Sequence, residues 1–191
     1  MTRRSFVLAG VVAAATLATL TVPVSRYAVW NASASVPTGL YAIRGRASLH
    51  VGERVAIEPP PELRRFLAAR GYLPVSVPLL KLVAAVSGQR VCRFAHGITI
   101  DGKYVGAARA RDRMGRPLPV WAGCNMLRAG ELFVMNSAAP DSFDGRYFGP
   151  LRLDTVIGRA TPVWTDEAGD GQHVWFANPR ETLAPTTPKG D

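Results

Sequence analysis

Nineteen consecutive residues without a charge, from Phe6 to Val24, divide this chain of 191 residues into two unequal parts. The run, FVLAGVVAAATLATLTVPV, is close in length to the roughly 20 residues that a helix needs to cross a bilayer. Arg3 and Arg4 precede the run, and the positive-inside rule then predicts a cytoplasmic N-terminus and an exported body. We therefore expect residues 1–24 to form a single transmembrane signal anchor.

Three other interpretations of the apolar run stay open. Residues 32–34 (Ala-Ser-Ala) resemble a small-residue cleavage site, which would make the run a removable signal peptide, although the run ends about ten residues earlier. Residues 2–6 (TRRSF) contain the paired arginines of a twin-arginine export signal. The run could also be a buried helix of a soluble protein. Tyr27 and Trp30 follow it directly, as an aromatic belt at a membrane surface would, and this favours the uncleaved anchor.

The rest of the chain is expected to form one folded domain, residues 25–177, and a disordered tail, residues 178–191, that lacks core residues. Hydrophobic residues make up 48% of the chain, and Gly 18 and Pro 15 imply many turns. This composition favours a mainly β fold with short strands. Strands are predicted within 36–58, 90–106, 131–135 and 155–164, and one short helix is predicted over 59–70, ending at Gly71.

The strong positive charge raises the question of a nucleic-acid partner. The net charge is +9 and the pI is about 10.4, but the arginines are scattered and form no basic helix or Lys/Arg run. Because an aromatic stacking motif is also missing, the pattern argues against nucleic-acid binding. It favours a positive surface close to anionic membrane lipid.

The cysteines and histidines form no pattern typical of a metal site, and we expect no metal or other cofactor. Cys92 and Cys124 are the only cysteines, and they form neither a CxxC nor a zinc pattern. If the domain is exported they would form one disulfide, and if it is cytosolic they would be two buried thiols. The three histidines lie far apart, with no HExxH motif.

Lys81 is unusual because it interrupts the otherwise apolar run LLKLVAAV, residues 79–86. Such a run is typical of a buried strand or a short core helix. Burying an ammonium group costs several kcal/mol, so a buried lysine tends to lose its proton. A neutral lysine can act as a general base. The alternative is an edge-strand lysine that prevents aggregation.

Ser35 lies in a polar segment just beyond the predicted anchor, where a substrate cut at the membrane surface would be presented. A serine needs a base to become a nucleophile, and without one Ser35 is an ordinary loop residue. No GxSxG motif surrounds any serine, which disfavours a Ser-His-Asp triad. Asp144 and Arg146, in a Gly-rich turn, could form a structural ion pair, or Asp144 could lie beside a Ser35/Lys81 dyad.

Three segments occur in the order and rough spacing of the type I signal peptidase superfamily, and most closely resemble its conjugative-transfer branch, the TraF peptidases. They are SVPTGLY from Ser35, LLKLVAAVSGQRV around Lys81 and SFDGRYFGP from Ser142. The resemblance implies that Ser35 is the nucleophile, Lys81 the general base and Asp144 the acidic residue beside the dyad. It also implies an oxyanion hole formed by the Ser33 hydroxyl and the Ser35 N–H. Arg146 and Ser142 would be supporting residues.

The same resemblance implies a fold, a location and a task. The fold would be a partly closed β-barrel or β-ribbon domain, in the periplasm and anchored in the inner membrane of a bacterium by one helix. A disulfide between Cys92 and Cys124 would tie the predicted hairpin to a neighbouring strand or loop. TraF-like peptidases mature the pilin precursor of a conjugative type IV secretion system, and some join its ends into a ring.

Two departures from the housekeeping signal peptidases support the TraF branch. Val36 is followed at once by Pro37, where housekeeping enzymes carry a methionine and one more residue, and the GLY triplet that follows is typical of TraF. One alternative is a signal peptidase that processes exported preproteins more broadly. Another is an anchored scaffold without enzymatic activity, for which Lys81→Arg would be harmless.

Overall fold

The computed structural model of the protein describes residues 27–45 and 48–178. The predicted anchor and all but the first residue of the predicted tail therefore lie outside the described residues. None of the helices in the described ranges is long and apolar enough to span a bilayer.

The prediction of a mainly β body is confirmed. The strands are β1 (Ala28–Asn31), β2 (Thr38–Arg44), β3 (Arg54–Ile57), β4 (Leu79–Val86), β5 (Arg90–Phe94), β6 (Gly97–Ile100), β7 (Lys103–Ala107), β8 (Gly123–Met126), β9 (Glu131–Val134), β10 (Leu151–Arg152), β11 (Val156–Asp166) and β12 (Val174–Trp175).

The strands form two antiparallel sheets. The larger sheet has the order β1-β2-β11-β3-β4-β9-β10, with β12 added to β11, and it curls into a half-barrel. The smaller sheet has the order β7-β6-β5-β8. The strand predicted within 155–164 is present as the single long strand β11. It pairs with β2 along one part of its length and with β3 along another. β11 and β3 therefore lie between β2 and β4, the strand that carries Lys81.

β4 lies in the interior of the larger sheet, hydrogen-bonded to β3 on one side and β9 on the other. Its buried, apolar sequence was predicted to form either a strand or a short core helix, and the strand is the one observed. Lys81 lies opposite Val55 of β3 and shares a face with Leu79 and Val83, since strand side chains alternate. The edge-strand interpretation of Lys81 is wrong, because β4 is paired on both sides.

The predicted helix is present as α1 (Pro61–Ala69), with proline in its first turn and Glu62 beside it. It ends at Arg70 and Gly71, and Gly71 has a φ of 67°, a conformation that glycine adopts without strain. The expectation of only one short helix is wrong. A second helical turn, α2 (Gly145–Phe148), begins where the Asp144 side chain accepts a hydrogen bond from the Arg146 N–H. A 3-10 turn (Leu153–Thr155) precedes β11.

The disulfide between Cys92 and Cys124 is present and joins β5 to β8, where the two cysteines face each other in the strand register. The predicted hairpin in this region is confirmed, with the Asp101-Gly102 turn between β6 and β7. The disulfide links residues 32 positions apart, and it fixes the outer strand of the smaller sheet.

Replacing both Cys92 and Cys124 by alanine is expected to lower the free energy of unfolding by about 2–4 kcal/mol, because the open chain gains conformational freedom. Urea titration followed by tryptophan fluorescence measures the change, and wild-type protein reduced with dithiothreitol is the matched control. Equal midpoints for the oxidised wild type and the double variant would contradict the prediction.

Candidate active site

The loop between β1 and β2 carries Ser33 and Ser35, and a buried asparagine at the end of β1 fixes its shape. The side-chain amide of Asn31 donates to three carbonyl oxygens of this loop at distances from 2.8 to 3.0 Å. The Tyr41 hydroxyl, on β2, donates to the carbonyl of Pro37 at 2.7 Å. These bonds hold the backbone on both sides of Ser35, so its hydroxyl has a defined position at the sheet surface.

The sheet brings Lys81 to Ser35, although 46 residues separate them in the sequence. The Nζ atom of Lys81 lies 3.1 Å from Oγ of Ser35 and 3.1 Å from Oγ of Ser142. Lys81 is only 4% exposed. A nucleophile and a base within about 3.2 Å of each other have the geometry required for direct proton transfer.

The surroundings of Lys81 adjust its protonation. Burial lowers the pKa of Lys81 to about 8, the negative charge of Asp144 opposes this change, and the positive charge of Arg146 adds to it. About a tenth of the lysine side chains are then neutral at pH 7. A neutral amine can accept the Ser35 proton, and the Ser142 hydroxyl keeps the amine directed at Ser35.

The two predicted oxyanion donors lie beside the Ser35 hydroxyl. Oγ of Ser33 lies 3.0 Å from Oγ of Ser35, and the Ser33 hydroxyl also reaches Oδ1 of Asn31 at 3.1 Å. Within the part of the chain that the structure describes, the backbone N–H of Ser35 has no acceptor. Both donors can therefore turn to a substrate oxyanion, the Ser33 hydroxyl by leaving Asn31.

Asn136 links the three parts of the site, and the sequence analysis did not identify it. Its side-chain amide donates to the carbonyl of Ser35, and its Oδ1 accepts from the Leu82 N–H at 2.8 Å. Its own N–H donates to the Asp144 carboxylate at 3.0 Å. The only signal in the sequence is a polar residue directly after the apolar strand β9, which is also typical of an ordinary turn.

Asp144 and Arg146 form a fully buried ion pair, as the structural interpretation of this turn predicted. The guanidinium contacts the carboxylate through Nε and Nη2, both at 2.9 Å. Arg146 also donates to the carbonyls of Ala139 at 2.8 Å and Ser142 at 3.1 Å.

The resemblance implied that Asp144 lies beside the dyad, and over the described ranges its carboxylate makes no direct hydrogen bond to either member of that dyad. Among the described residues, its carboxylate accepts hydrogen bonds from Asn136 and Arg146 and from neither Ser35 nor Lys81. The geometry makes it a positioning residue, because Arg146 holds the turn that carries Ser142. Its charge also acts on Lys81 from a distance.

A cleft of about 660 Å³ opens above the dyad. It is lined by the loop that carries Ser33 and Ser35, by residues of the segment 109–116 and by residues 138–143. Leu73, Val77 and Leu79 add an apolar surface. A cleft with apolar lining residues and a few polar groups is suited to binding an extended peptide.

Asn136→Ala is expected to lower kcat by about 100-fold with a smaller change in KM, because a small displacement of a reacting group slows the reaction strongly. Steady-state cleavage of a peptide measures both constants. The matched control is Asn125→Ala, since Asn125 is an exposed asparagine on β8, in the smaller sheet. An unchanged kcat in the Asn136 variant would show that Ser35 does not depend on this contact.

Comparison with known protein families identifies one family for this chain. The profile described as "Signal peptidase, peptidase S26" matches residues 2–165, a span that includes Ser35, Lys81 and Ser142. Among solved structures, the chain is similar to a signal peptidase I from Enterococcus faecalis V583. The identity is 16% over 60% of this chain and 98% of that chain, with a TM-score of 0.36. No curated protein sequence matches the chain.

Proposed function

Because the chain belongs to the signal peptidase family, peptidase S26, it is a serine peptidase, and we propose that Ser35 is its nucleophile and Lys81 its general base. The observation that carries this assignment is the 3.1 Å separation of Lys81 Nζ and Ser35 Oγ. The burial that brings the pKa of Lys81 to about 8 makes the same amine a competent base.

The reaction then proceeds through an ester on Ser35. Neutral Lys81 takes the Ser35 proton as Oγ attacks the scissile carbonyl, and the Ser33 hydroxyl and the Ser35 N–H stabilise the oxyanion. The C–N bond breaks as Lys81 returns the proton to the departing amine. Water, deprotonated by Lys81, hydrolyses the ester, whereas an amine attacking in place of water would form a new peptide bond.

The proposed substrate is the pilin precursor of a conjugative type IV secretion system. The motifs SVPTGLY and SFDGRYFGP, which resemble those of the TraF branch, support this choice. The second candidate substrate is the broader set of exported preproteins, which the family profile favours because it names signal peptidase.

The proposed location is the periplasmic face of the inner membrane, with one N-terminal anchor and the N-terminus in the cytoplasm. A cluster of exposed aromatic rings on β1, β11 and β12 supports this arrangement. The Trp30 and Trp164 ring centroids lie 6.2 Å apart, and those of Trp164 and Trp175 lie 5.9 Å apart. Tyr27 and Phe176 are also exposed. Tryptophan and tyrosine prefer the membrane interface, and this cluster lies where the chain leaves the apolar run.

Mass spectrometry of co-expressed substrates tests the proposal. A pilin precursor and a panel of exported preproteins are each expressed with wild type, Ser35→Ala or Lys81→Ala. Trimming of the pilin alone by wild type supports the conjugative role, and trimming of many preproteins supports the broader one. A product lighter by one water than the linear form indicates ring closure. Equal trimming with all three proteins would refute the catalytic assignment.

A further inference from the structure

The cleft is lined by more cationic than anionic residues. Five of them are cationic and two are anionic. Lys81 belongs to the dyad, and the other four cations are arginines within one short stretch of the loop between β7 and β8. The lining cations are Lys81, Arg109, Arg111, Arg113 and Arg116, and the lining anions are Asp112 and Asp141.

Two of these arginines share the carboxylate of Asp141. Arg109 contacts Oδ1 of Asp141 at 2.7 Å, and Arg113 contacts Oδ2 at 2.6 Å. The side chains of Arg109 and Arg113 remain 52% and 78% exposed. Asp141 precedes Ser142, which contacts Lys81. One carboxylate between two guanidinium groups leaves a net positive charge at this wall of the cleft.

Arg111 adds a further positive charge without a carboxylate partner. Its guanidinium donates to the carbonyl of Gly115 at 2.6 Å. Across residues 27–45 and 48–178, no Asp or Glu side chain lies within ion-pair distance of it. An exposed arginine that faces a substrate cleft is available to pair with an anionic group of the substrate.

The loop that carries these arginines is held in one shape by Asp112. Its carboxylate accepts hydrogen bonds from the Tyr72 hydroxyl, from the N–H of Met114 and from Arg116. Burial alone would raise the pKa of Asp112, but these bonds lower it well below its usual range. The carboxylate is thus ionised at neutral pH. A preformed loop does not have to be ordered when a ligand binds, so its charges contribute more fully to recognition.

We propose that this wall of the cleft selects substrates with an aspartate or glutamate close to the scissile bond, and that Arg111 is the main residue that recognises it. The inference rests on the proposed peptidase function and names the charge of its substrate. A cleft lined by an excess of one charge attracts the opposite charge and disfavours its own. A guanidinium also matches the planar geometry of a carboxylate.

A randomised peptide pool tests the proposal with the full-length protein in neutral detergent. The pool is digested by wild type, Arg111→Lys, Arg111→Glu and Ser35→Ala, and mass spectrometry gives the residue frequencies around each cut. We expect wild type to enrich Asp and Glu about fivefold at one or more positions, the amount that one exposed ion pair supplies. Arg111→Lys should keep most of this enrichment. Arg111→Glu should replace it with a preference for Lys and Arg.

The control variant is Arg128→Gln, because Arg128 is an exposed arginine outside the cleft lining. It should cut with the wild-type charge preference. A Ser35-dependent activity with no charge preference, or a preference that Arg111→Glu leaves intact, would overturn the inference while leaving the peptidase assignment standing. Cutting by Ser35→Ala equal to wild type would instead refute the peptidase assignment. If the preference for Asp and Glu appeared only in the presence of vesicles that contain anionic lipid, the arginines would bind lipid rather than substrate. That result would overturn the inference.

Discussion

Lys81→Arg is expected to lower kcat for peptide cleavage by about 1,000-fold or more, although the variant keeps the positive charge. A guanidinium does not lose its proton in a protein, so it cannot accept the proton of Ser35. The lysine amine can do so because burial brings its pKa to about 8. Burst and steady-state kinetics with a peptide substrate measure the loss.

Lys81→Met is the matched control, since it removes the base and fits the apolar strand. It should be as inactive as Lys81→Arg, yet more stable than wild type at pH 7. The unfolded chain binds the lysine proton more tightly than the folded chain, so wild-type stability increases as the pH rises from about 8 towards 10.5. Methionine removes this dependence and should add about 3 kcal/mol at pH 7. Cleavage by either variant at the wild-type rate would disprove the role of Lys81.

Asp144→Ala is expected to destabilise the fold by about 3–5 kcal/mol, because it leaves the Arg146 guanidinium buried without its counter-charge. Asp144 is fully buried and Arg146 is 2% exposed, so water cannot replace the lost carboxylate. The backbone N–H of Asn136 would lose its acceptor as well, and Arg146, which donates to the carbonyl of Ser142, would lose the carboxylate that holds it. Thermal and urea unfolding followed by circular dichroism measure the loss.

Two controls separate this effect from a general sensitivity to charge. Glu58→Ala breaks the exposed Glu58–Arg64 pair and should change stability by less than about 1 kcal/mol. The double variant Asp144→Ala/Arg146→Met removes both buried charges and should be more stable than Asp144→Ala alone. A single variant as stable as the Glu58 control would show that the buried pair is not needed.

The features of the site that the sequence predicted have strong local signals. A charged residue within LLKLVAAV is uncommon, and the same pattern that places β4 in the core also predicts a lysine with a lowered pKa. The strands β2, β3, β5, β6, β7, β9 and β11 and the helix α1 follow from apolar and β-prone segments bounded by prolines and glycines, whereas β1, β8, β10 and β12 were not predicted. The catalytic roles of Ser35 and Lys81 stay proposals, and the structure supplies the distance between the two side chains.

The features that were missed depend on contacts between distant parts of the chain. Asn136 contacts Ser35 across 101 positions, and no local pattern distinguishes it from other asparagines in turns. Arg93 is likewise buried, and its guanidinium donates to the backbone of α2 at Arg146 and to Pro119. A buried arginine that bonds to backbone carbonyls has the same sequence pattern as a surface arginine on a strand.

Asp144 shows that a motif can indicate a residue without giving its contacts. The resemblance implied an acid beside the dyad, but the sequence did not show which groups its carboxylate would bind. Because Asp144 is the N-cap residue of α2, its carboxylate caps the helical turn and pairs with Arg146 inside the core. Its influence on Lys81 is therefore electrostatic and structural.

The pH dependence of kcat/KM for the wild-type protein tests the central assignment most directly, because it reports the ionisation of essential groups in the free enzyme. Cleavage of a peptide without ionisable side chains should rise with pH along a single limb whose midpoint lies near pH 8, the pKa of Lys81. The midpoint should fall on warming, as the pKa of an amine does. A midpoint near the histidine value of about 6.5, or a rate that does not change across this range, would contradict the proposal that neutral Lys81 activates Ser35.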